Sequence, residues 1–320
     1  MKNKVYKIVT DQIIELLKQG TVPWRIPWNG NCVPLNAISK RTYSGINSFI
    51  LNQTALKNDY ADNRWLTFKQ TQHLGGHVNR GEKATMVVFW KPVEIKEKSL
   101  DMEGQVSSKR IVPVLRYYKL FNAEQCGKLF LDPLEAPRHF DHNPNEMAEN
   151  IVASMPGPPE FVKGAKASYN YIRDTVTMPP MRLFDNLARY YSTLFHELVH
   201  STRHETRTGR DSTIPTNQND ERYSKEELIA EMGAAMLSGV TGMTDQTIHS
   251  SAAYIKNWLE NLENDPTLVI KAASKAQQAV DYILGYASDR NSTSNNKETE
   301  WHQVHGAKSI TPKSLNPVLQ

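Results

Sequence analysis

Apolar positions recur every three to four residues in the first twenty residues of the chain. This spacing predicts a helix with one buried face, and its apolar positions are Val5, Ile8, Val9, Ile13, Leu16 and Leu17. The segment also carries acidic residues and lacks a small-residue cleavage site, which is not typical of a signal peptide. The chain is therefore expected to open with a helix of the folded protein.

The hydrophobic pattern then alternates between loop, helix and strand. A Pro-, Gly- and Trp-rich stretch at 20–36 predicts an ordered loop, and a turn at 43–46 leads into a helix. A short helix is expected before Gly75-Gly76, followed by strands at 85–90 and 110–126. The polar segment 94–110 between the two strands predicts a hairpin arm or a flexible excursion.

The second half of the chain is dominated by helical periodicity. Two short strands are expected within 167–180, and helices at about 146–154, 184–204, 224–239, 249–263 and 267–285. The pattern predicts an α+β protein with two domains. The expected divisions are a first α+β domain at 1–130, a linker at 131–145, a mainly helical domain with a small sheet at 146–287 and a disordered tail at 288–320.

Composition narrows the class of protein. A length of 320 residues, with 39% hydrophobic and 22% charged residues, fits a globular protein of about two domains. No apolar run approaches the roughly 20 residues that a bilayer requires, so no membrane is expected as a partner. The two cysteines, Cys32 and Cys126, form no CxxC motif, which favours a reducing, cytoplasmic location.

Charge is distributed unevenly along the chain. Residues 1–130 hold 20 lysines and arginines against 10 aspartates and glutamates, whereas residues 131–320 hold 18 against 24. A net charge of +10 suits the first half to a polyanion, although a solvated basic face explains the charge equally well.

The segment YYSTLFHELVHSTRH carries the clearest chemical signal. His196 and His200 are four residues apart and share one face of a helix, so both imidazoles can bind one metal ion. Glu197 follows the first histidine, where it can act as the general base towards water at the open coordination position. The spacing predicts a zinc hydrolysis site, in which Mn²⁺ or Co²⁺ could replace Zn²⁺.

A third ligand is needed to complete a catalytic zinc site. His204 extends the predicted helix by another turn, too far along the axis for one ion to bind all three histidines. Thermolysin-like enzymes take a glutamate from a second helix, and Glu227 in EELIAEMGAAML fits this ligand position. Glu231 fits the supporting position that steadies a ligand histidine, and it is the alternative ligand. Nearby Gly and Ala residues would let the two helices approach closely.

The first half contains cations and aromatic side chains of the kind that bind single-stranded DNA. Each aromatic is individually more often part of a core, and Asn47 is more often a helix cap than a base contact. Phe89 and Trp90 are assigned to the core. The candidate DNA-binding residues are Arg41, Tyr43, Asn47, Arg64, Trp65, Lys69, Arg80 and Lys83.

Several motifs in register resemble the ArdC-type plasmid antirestriction proteins and the N-terminal part of TraC-type plasmid primases. They lie between residues 1 and 286, and include WLTFKQ, GGHVNRGEKATMVVFW, FNAEQC and the two metal-site segments above. The resemblance implies a single-stranded-DNA-binding domain joined to a zincin-like metallopeptidase domain. It also implies protection of incoming plasmid DNA from host restriction during conjugation.

Three functions remain open on these grounds. The first is an antirestriction protein that couples DNA binding to a zinc-dependent, gluzincin-like peptidase acting on an unknown protein substrate. The second shields DNA without cleavage and uses a structural metal site, and the third is a DNA-tethered repair protease of the SprT-like kind. Glu197 favours the first and third, because a structural metal site needs no general base. A monomer is expected in each case.

Overall fold

The structure, a computed structural model, is an α+β fold. It describes residues 2–24, 33–99, 106–132, 144–210, 221–243 and 252–286. The helices are α1 Lys2–Lys18, α2 Ile46–Lys57, α3 Phe68–His73, α4 Pro144–Ser154, α5 Leu187–Ser201, α6 Glu221–Thr241, α7 Ala252–Asn264 and α8 Leu268–Ile283. The strands are β1 Leu35–Asn36, β2 Arg64–Thr67, β3 His77–Val78, β4 Thr85–Ser99, β5 Val106–Asn122, β6 Cys126–Gly127, β7 Glu160–Lys163, β8 Ser168–Asn170 and β9 Thr175–Met178.

The first half is built on a four-stranded sheet with the order β1-β2-β5-β4. β4 and β5 form a long antiparallel hairpin, whose register runs from Thr85 opposite Leu120 to Ser99 opposite Val106. Both predicted strands are confirmed and extend into the polar segment 94–110, whose described part is a hairpin arm. The prediction is wrong at the far end of the second strand, which ends at Asn122 because residues 123–125 form a capped 3-10 helix. The tip at 100–105 lies outside the described residues.

A strand stands where the sequence pattern predicted only a helix. β2 covers Arg64–Thr67, and α3 begins directly after it. Thr67 caps α3 by accepting a hydrogen bond from the Gln70 amide, and the Gln70 side chain accepts one from the Thr67 amide. This reciprocal cap lets the chain change from strand to helix within one residue.

The second half packs its helices beside a small sheet of order β7-β9-β8, in which β9 runs parallel to β7 and antiparallel to β8. β8 and β9 confirm the two predicted strands, whereas β7 was not predicted. Asn186 caps α5 by accepting a hydrogen bond from the Arg189 amide at 2.8 Å. The helix ends at Ser201, three residues earlier than predicted.

One apolar cluster joins the two halves of the chain. It contains Val9 and Phe49 from α1 and α2 together with Ala273 from α8. Trp24 packs edge to face on Trp258 of α7, with ring centroids 5.4 Å apart. The proposed domain boundaries remain predictions, because residues 133–143 of the expected linker and the tail from 288 lie outside the described residues. Within the described helices, none is long and apolar enough to cross a membrane.

Candidate metal centre and nucleic-acid surface

Helices α5 and α6 bring the predicted ligands together. α5 buries Leu194, Phe195 and Leu198 in the core, which fixes the rotation of the helix about its axis. A Cβ added to Gly233 of α6 would lie 2.7 Å from Cγ2 of Val199 on α5. Only a glycine permits this approach, so the close packing expected of small residues is confirmed at Gly233.

Among the described residues, His196, His200 and Glu227 form a cluster whose ligand atoms all lie within 4.8 Å of one another. The two histidine Nε2 atoms are 3.0 Å apart. Glu227 places Oε2 3.4 Å from His196 Nε2 and Oε1 3.4 Å from His200 Nε2. A tetrahedral site with bonds of about 2.0–2.1 Å has neighbouring donors about 3.3–3.4 Å apart. The donor positions therefore fit a divalent metal ion.

The short distances between the two histidines and the neighbouring glutamates shift the pKa values of these groups in the metal-free protein. Burial lowers the pKa of His200, but hydrogen bonds to Glu226 and Glu227 outweigh burial and raise the pKa to about 10. Burial also lowers the pKa of His196, and Glu227 with Glu231 raises it above its ordinary value. Burial raises the pKa of Glu227, yet its hydrogen bonds to the two histidines hold that pKa well below the usual range. Without a metal, a cation or a proton must offset the Glu227 charge.

Glu226 is a site residue that sequence reasoning missed. Its Oε1 lies 3.2 Å from His200 Nδ1 and accepts a hydrogen bond of 2.7 Å from Arg210. Arg210 also donates to the Val199 carbonyl at 2.7 Å, so it ties both helices together. A carboxylate on Nδ1 leaves Nε2 of a histidine available for a metal. The run of charged residues around Glu226 is typical of an exposed helix face, but its side chain is only 11% exposed.

Glu197 and Glu231 are placed near the cluster but are not part of it. Glu197 follows His196 on α5 and is buried. Glu231 is half-buried on α6 and acts on His196 through its charge. The roles assigned to them stay predictions. His204 lies in a turn beyond α5, where its ring packs against Tyr171 with centroids 5.3 Å apart.

Two of the predicted DNA-binding residues are buried in the first half. Trp65 lies on β2 with no exposed surface and packs edge to face on Tyr60. Its assignment as a stacking residue is wrong in this structure, because neither ring face reaches solvent. Arg64 donates to both carboxylate oxygens of Asp62 and to the Asp132 carbonyl. Its guanidinium is already satisfied by the protein, so the prediction that it contacts phosphate is also wrong.

The other predicted DNA-binding residues fall into two groups. Asn47 exchanges two hydrogen bonds with the backbone of Val88, at 2.7 and 2.8 Å, and so joins α2 to β4. It neither caps α2, whose cap is Gly45, nor presents its amide to a base. Tyr43 is half-buried and its hydroxyl accepts a hydrogen bond from Asn36. Of the remaining four cations, Arg41 is half-buried, and the other three are exposed: Lys69, Arg80 and Lys83.

Comparison with known proteins finds two family models along the chain. Residues 3–121 match the family model of the N-terminal domain of anti-restriction factor ArdC, and residues 146–275 match that of a zincin-like metallopeptidase. The chain is 33% identical over 300 residues to DNA primase TraC of Escherichia coli, a match covering 89% of this chain and 20% of the primase. The chain thus spans about a fifth of that relative's length.

Solved structures extend the likeness over both halves. The metal-free crystal structure of antirestriction ArdC protein from R388 plasmid is 33% identical, with a TM-score of 0.69, covering 89% of this chain and 98% of that chain. The Mn(II)-bound structure of the same protein is 32% identical with equal coverage and TM-score. Fold and site define a protein with a zincin-like domain that fits a divalent metal. The chain belongs to the ArdC family of antirestriction proteins.

Proposed function

We propose that the protein is a zinc-dependent peptidase that binds single-stranded DNA and protects incoming plasmid DNA from host restriction. The observation that carries the peptidase is the spacing of His196, His200 and Glu227. The two histidine Nε2 atoms are 3.0 Å apart, and each lies 3.4 Å from one of the two Glu227 carboxylate oxygens. Two imidazoles and one carboxylate would hold the ion and leave a fourth position for water or substrate. Bound there, a divalent metal supplies a Lewis acid that polarises a carbonyl and makes water more acidic.

The remaining chemistry falls to the chain's own carboxylates. Glu197 would take a proton from water as the water oxygen bonds to the carbonyl carbon of the peptide. It would then return that proton to the nitrogen of the leaving amine as the carbon–nitrogen bond breaks. Glu226 and Arg210 would keep His200 oriented throughout. A site that served only the fold would need no buried carboxylate at position 197.

The single-stranded DNA partner is supported by the +10 net charge of residues 1–130. Exposed Lys69, Arg80 and Lys83 provide cations for phosphates. Counterion release predicts that DNA affinity falls steeply with salt. We infer that the full chain carries both activities, and the monomer and cytoplasmic location expected from the sequence are part of this proposal.

The Glu197→Gln variant of the full chain tests the peptidase. We expect it to retain zinc, measured by elemental analysis, but to lose cleavage of fluorescein-labelled casein by at least about 100-fold, as for the loss of a general base. Glu205→Gln is the matched control, because Glu205 is exposed beyond the end of α5. Undiminished cleavage by the Glu197 variant would contradict a role as general base.

The same variant separates cleavage from shielding in the cell. Transfer of a plasmid encoding either protein into a restricting recipient would be counted as transconjugants. If cleavage is part of protection, the Glu197→Gln plasmid should give as few transconjugants as a plasmid that lacks the gene. Full protection by that variant would favour shielding of DNA without proteolysis.

A further inference from the structure

The β4–β5 hairpin presents two chemically different faces. In an antiparallel pair, residues opposite each other point to the same side, and neighbours along a strand point to opposite sides. The register places Phe89 opposite Arg116 and Val87 opposite Tyr118. These residues therefore share one side with Lys91, which we call the Tyr118 face. Tyr117 and Trp90 lie on the other side, where Trp90 packs edge to face on Tyr6 of α1.

Two aromatic rings on the Tyr118 face are stacked on each other and open to solvent. Phe89 and Tyr118 have centroids 4.3 Å apart and planes inclined by only 7°. Tyr118 is 49% exposed, and Phe89 is half-buried. Val87 and Leu120 hold the near end of this face in the core. A flat ring supported on one side by a second ring is suited to receive another planar ring on its open side.

The charges beside the rings are positive. Lys91 and Arg116 are exposed on the Tyr118 face, next to Phe89 in the register. No acidic residue lies on this face between residues 85 and 93 or between 112 and 120. Glu94, the acidic residue nearest the rings along β4, points to the other side. Rings flanked by cations are what a polyanion carrying planar groups requires.

We propose that the Tyr118 face is the surface on which this protein stacks the bases of single-stranded nucleic acid. The inference rests on the proposed binding of single-stranded DNA and specifies the site. Bases in a duplex hide their faces from such rings, whereas a single strand exposes them. Arg116 and Lys91 contact the phosphates that flank the stacked base. Trp65, buried in β2, has no part in it.

Adjacent tyrosines provide a matched test. Tyr117 and Tyr118 are 48% and 49% exposed and lie on opposite faces of β5. Binding of the full chain to fluorescein-labelled oligodeoxythymidine of about 20 nucleotides would be measured by anisotropy. We expect Tyr118→Ala to raise Kd by about 5- to 150-fold, which corresponds to about 1–3 kcal/mol for one stacked base. Tyr117→Ala should change Kd by less than about two-fold.

Charge and shape variants complete the experiment. Arg116→Ala should flatten the slope of log K against log salt by about 0.7, the value for one phosphate on a single strand, whereas Lys119→Ala on the other face should not. Tyr118→Phe should bind normally, and Tyr118→Leu should be impaired although it keeps an apolar side chain. Zinc content and melting temperature would be checked for each variant.

The outcomes distinguish this inference from the proposed function. If the parent chain binds the oligonucleotide and Tyr118→Leu binds equally well, the Tyr118 face is not the stacking surface, although DNA binding stands. Equal losses for Tyr117→Ala and Tyr118→Ala would also overturn it, because neither face would then be preferred. If the parent chain binds no DNA at all, the proposed DNA partner and this surface fail together.

Discussion

The contact between Gly233 and Val199 is where the packing of α5 on α6 can be tested most directly. A Cβ at position 233 would lie 2.7 Å from one methyl carbon of Val199 and 3.0 Å from the other. Carbon atoms in contact are normally about 3.5–4.0 Å apart. Gly233→Ala must therefore move the helices apart by up to about 1 Å, or rotate Val199 out of the one rotamer that helices favour for valine.

The cost to stability is smaller than the cost to the metal site. Overpacking costs about 1–3 kcal/mol, while replacing a helical glycine by alanine recovers up to about 1 kcal/mol. We therefore expect a net loss in unfolding free energy of about 0–2 kcal/mol. Glu227 lies about 9 Å along the same helix, at about 1.5 Å per residue. Metal–ligand distances tolerate only about 0.2 Å, so a shift of this size should weaken metal binding clearly.

The assay is zinc binding by competition with a chromogenic chelator, together with denaturant unfolding of the same samples. Val199→Ala removes both methyl carbons that the new side chain would meet. In the double variant it should restore part of the lost zinc affinity, giving a coupling free energy of about 0.5–3 kcal/mol. Zinc affinity that is unchanged in Gly233→Ala, or losses that simply add in the double variant, would refute the argument from close packing.

Three further predictions follow from the site and its helix. Glu226→Gln should lower zinc affinity by about 10- to 100-fold in a chelator titration, since it removes the carboxylate that orients His200. An unaffected zinc affinity would contradict this role, and a larger loss in Glu231→Gln would assign the role to Glu231. The pKa of His200 is raised to about 10 without metal. The stabilisation of the metal-free protein by protonated His200 is fully present below the unfolded pKa of about 6.5, and it is lost as pH rises through about 10. Zinc must displace that proton, so affinity should rise from pH 6 to 8 with protons released in calorimetry; a flat profile would argue against it. Asn186→Ala should cost about 0.5–2 kcal/mol in denaturant unfolding through loss of the α5 cap, an effect that Asn186→Ser should largely avoid.

The cluster of His196, His200 and Glu227 could be predicted because the spacing of its two histidines is fixed by local geometry. His196 and His200 share a helix face at any position in a fold. The prediction that Glu227 joins the two histidines required only that a second helix, rich in small residues, packs close to the first. Glu226 could not be assigned in the same way, since its neighbours are His200 and Arg210. Which face of α6 turns inward is decided by tertiary packing, and the charged run around it gave no period to follow.

The nucleic-acid surface was harder to predict for a related reason. Arg64 and Trp65 lie on the short strand β2. Its sequence cannot be told from the start of a helix, because the capped helix α3 begins directly after it. Aromatic identity alone does not separate a core ring from an exposed one. Alternation along β5 does not select a face either, since Tyr117 and Lys119 recur at the same period of two as Arg116 and Tyr118. The sequence predicts a core position for Phe89, whereas the structure leaves it half-buried. Its neighbours across the hairpin depend on the pairing register of β4 with β5, which cannot be read from the sequence.

The shared core determines how both proposed activities should behave on unfolding. Thr10 of α1 donates to the Pro266 carbonyl at 2.6 Å, and Lys18 pairs with Glu263 at 2.9 Å. Together with the contact of Trp24 on Trp258, these interactions join α1 and the turn after it to α7 and the residues that follow α7. Separating the halves would expose two buried indoles, at about 1.5–3 kcal/mol or more for each large side chain. We therefore expect the full chain to unfold in one calorimetric transition that zinc shifts upward as a whole. Two transitions, of which zinc moved only one, would show that the halves are energetically independent despite this contact.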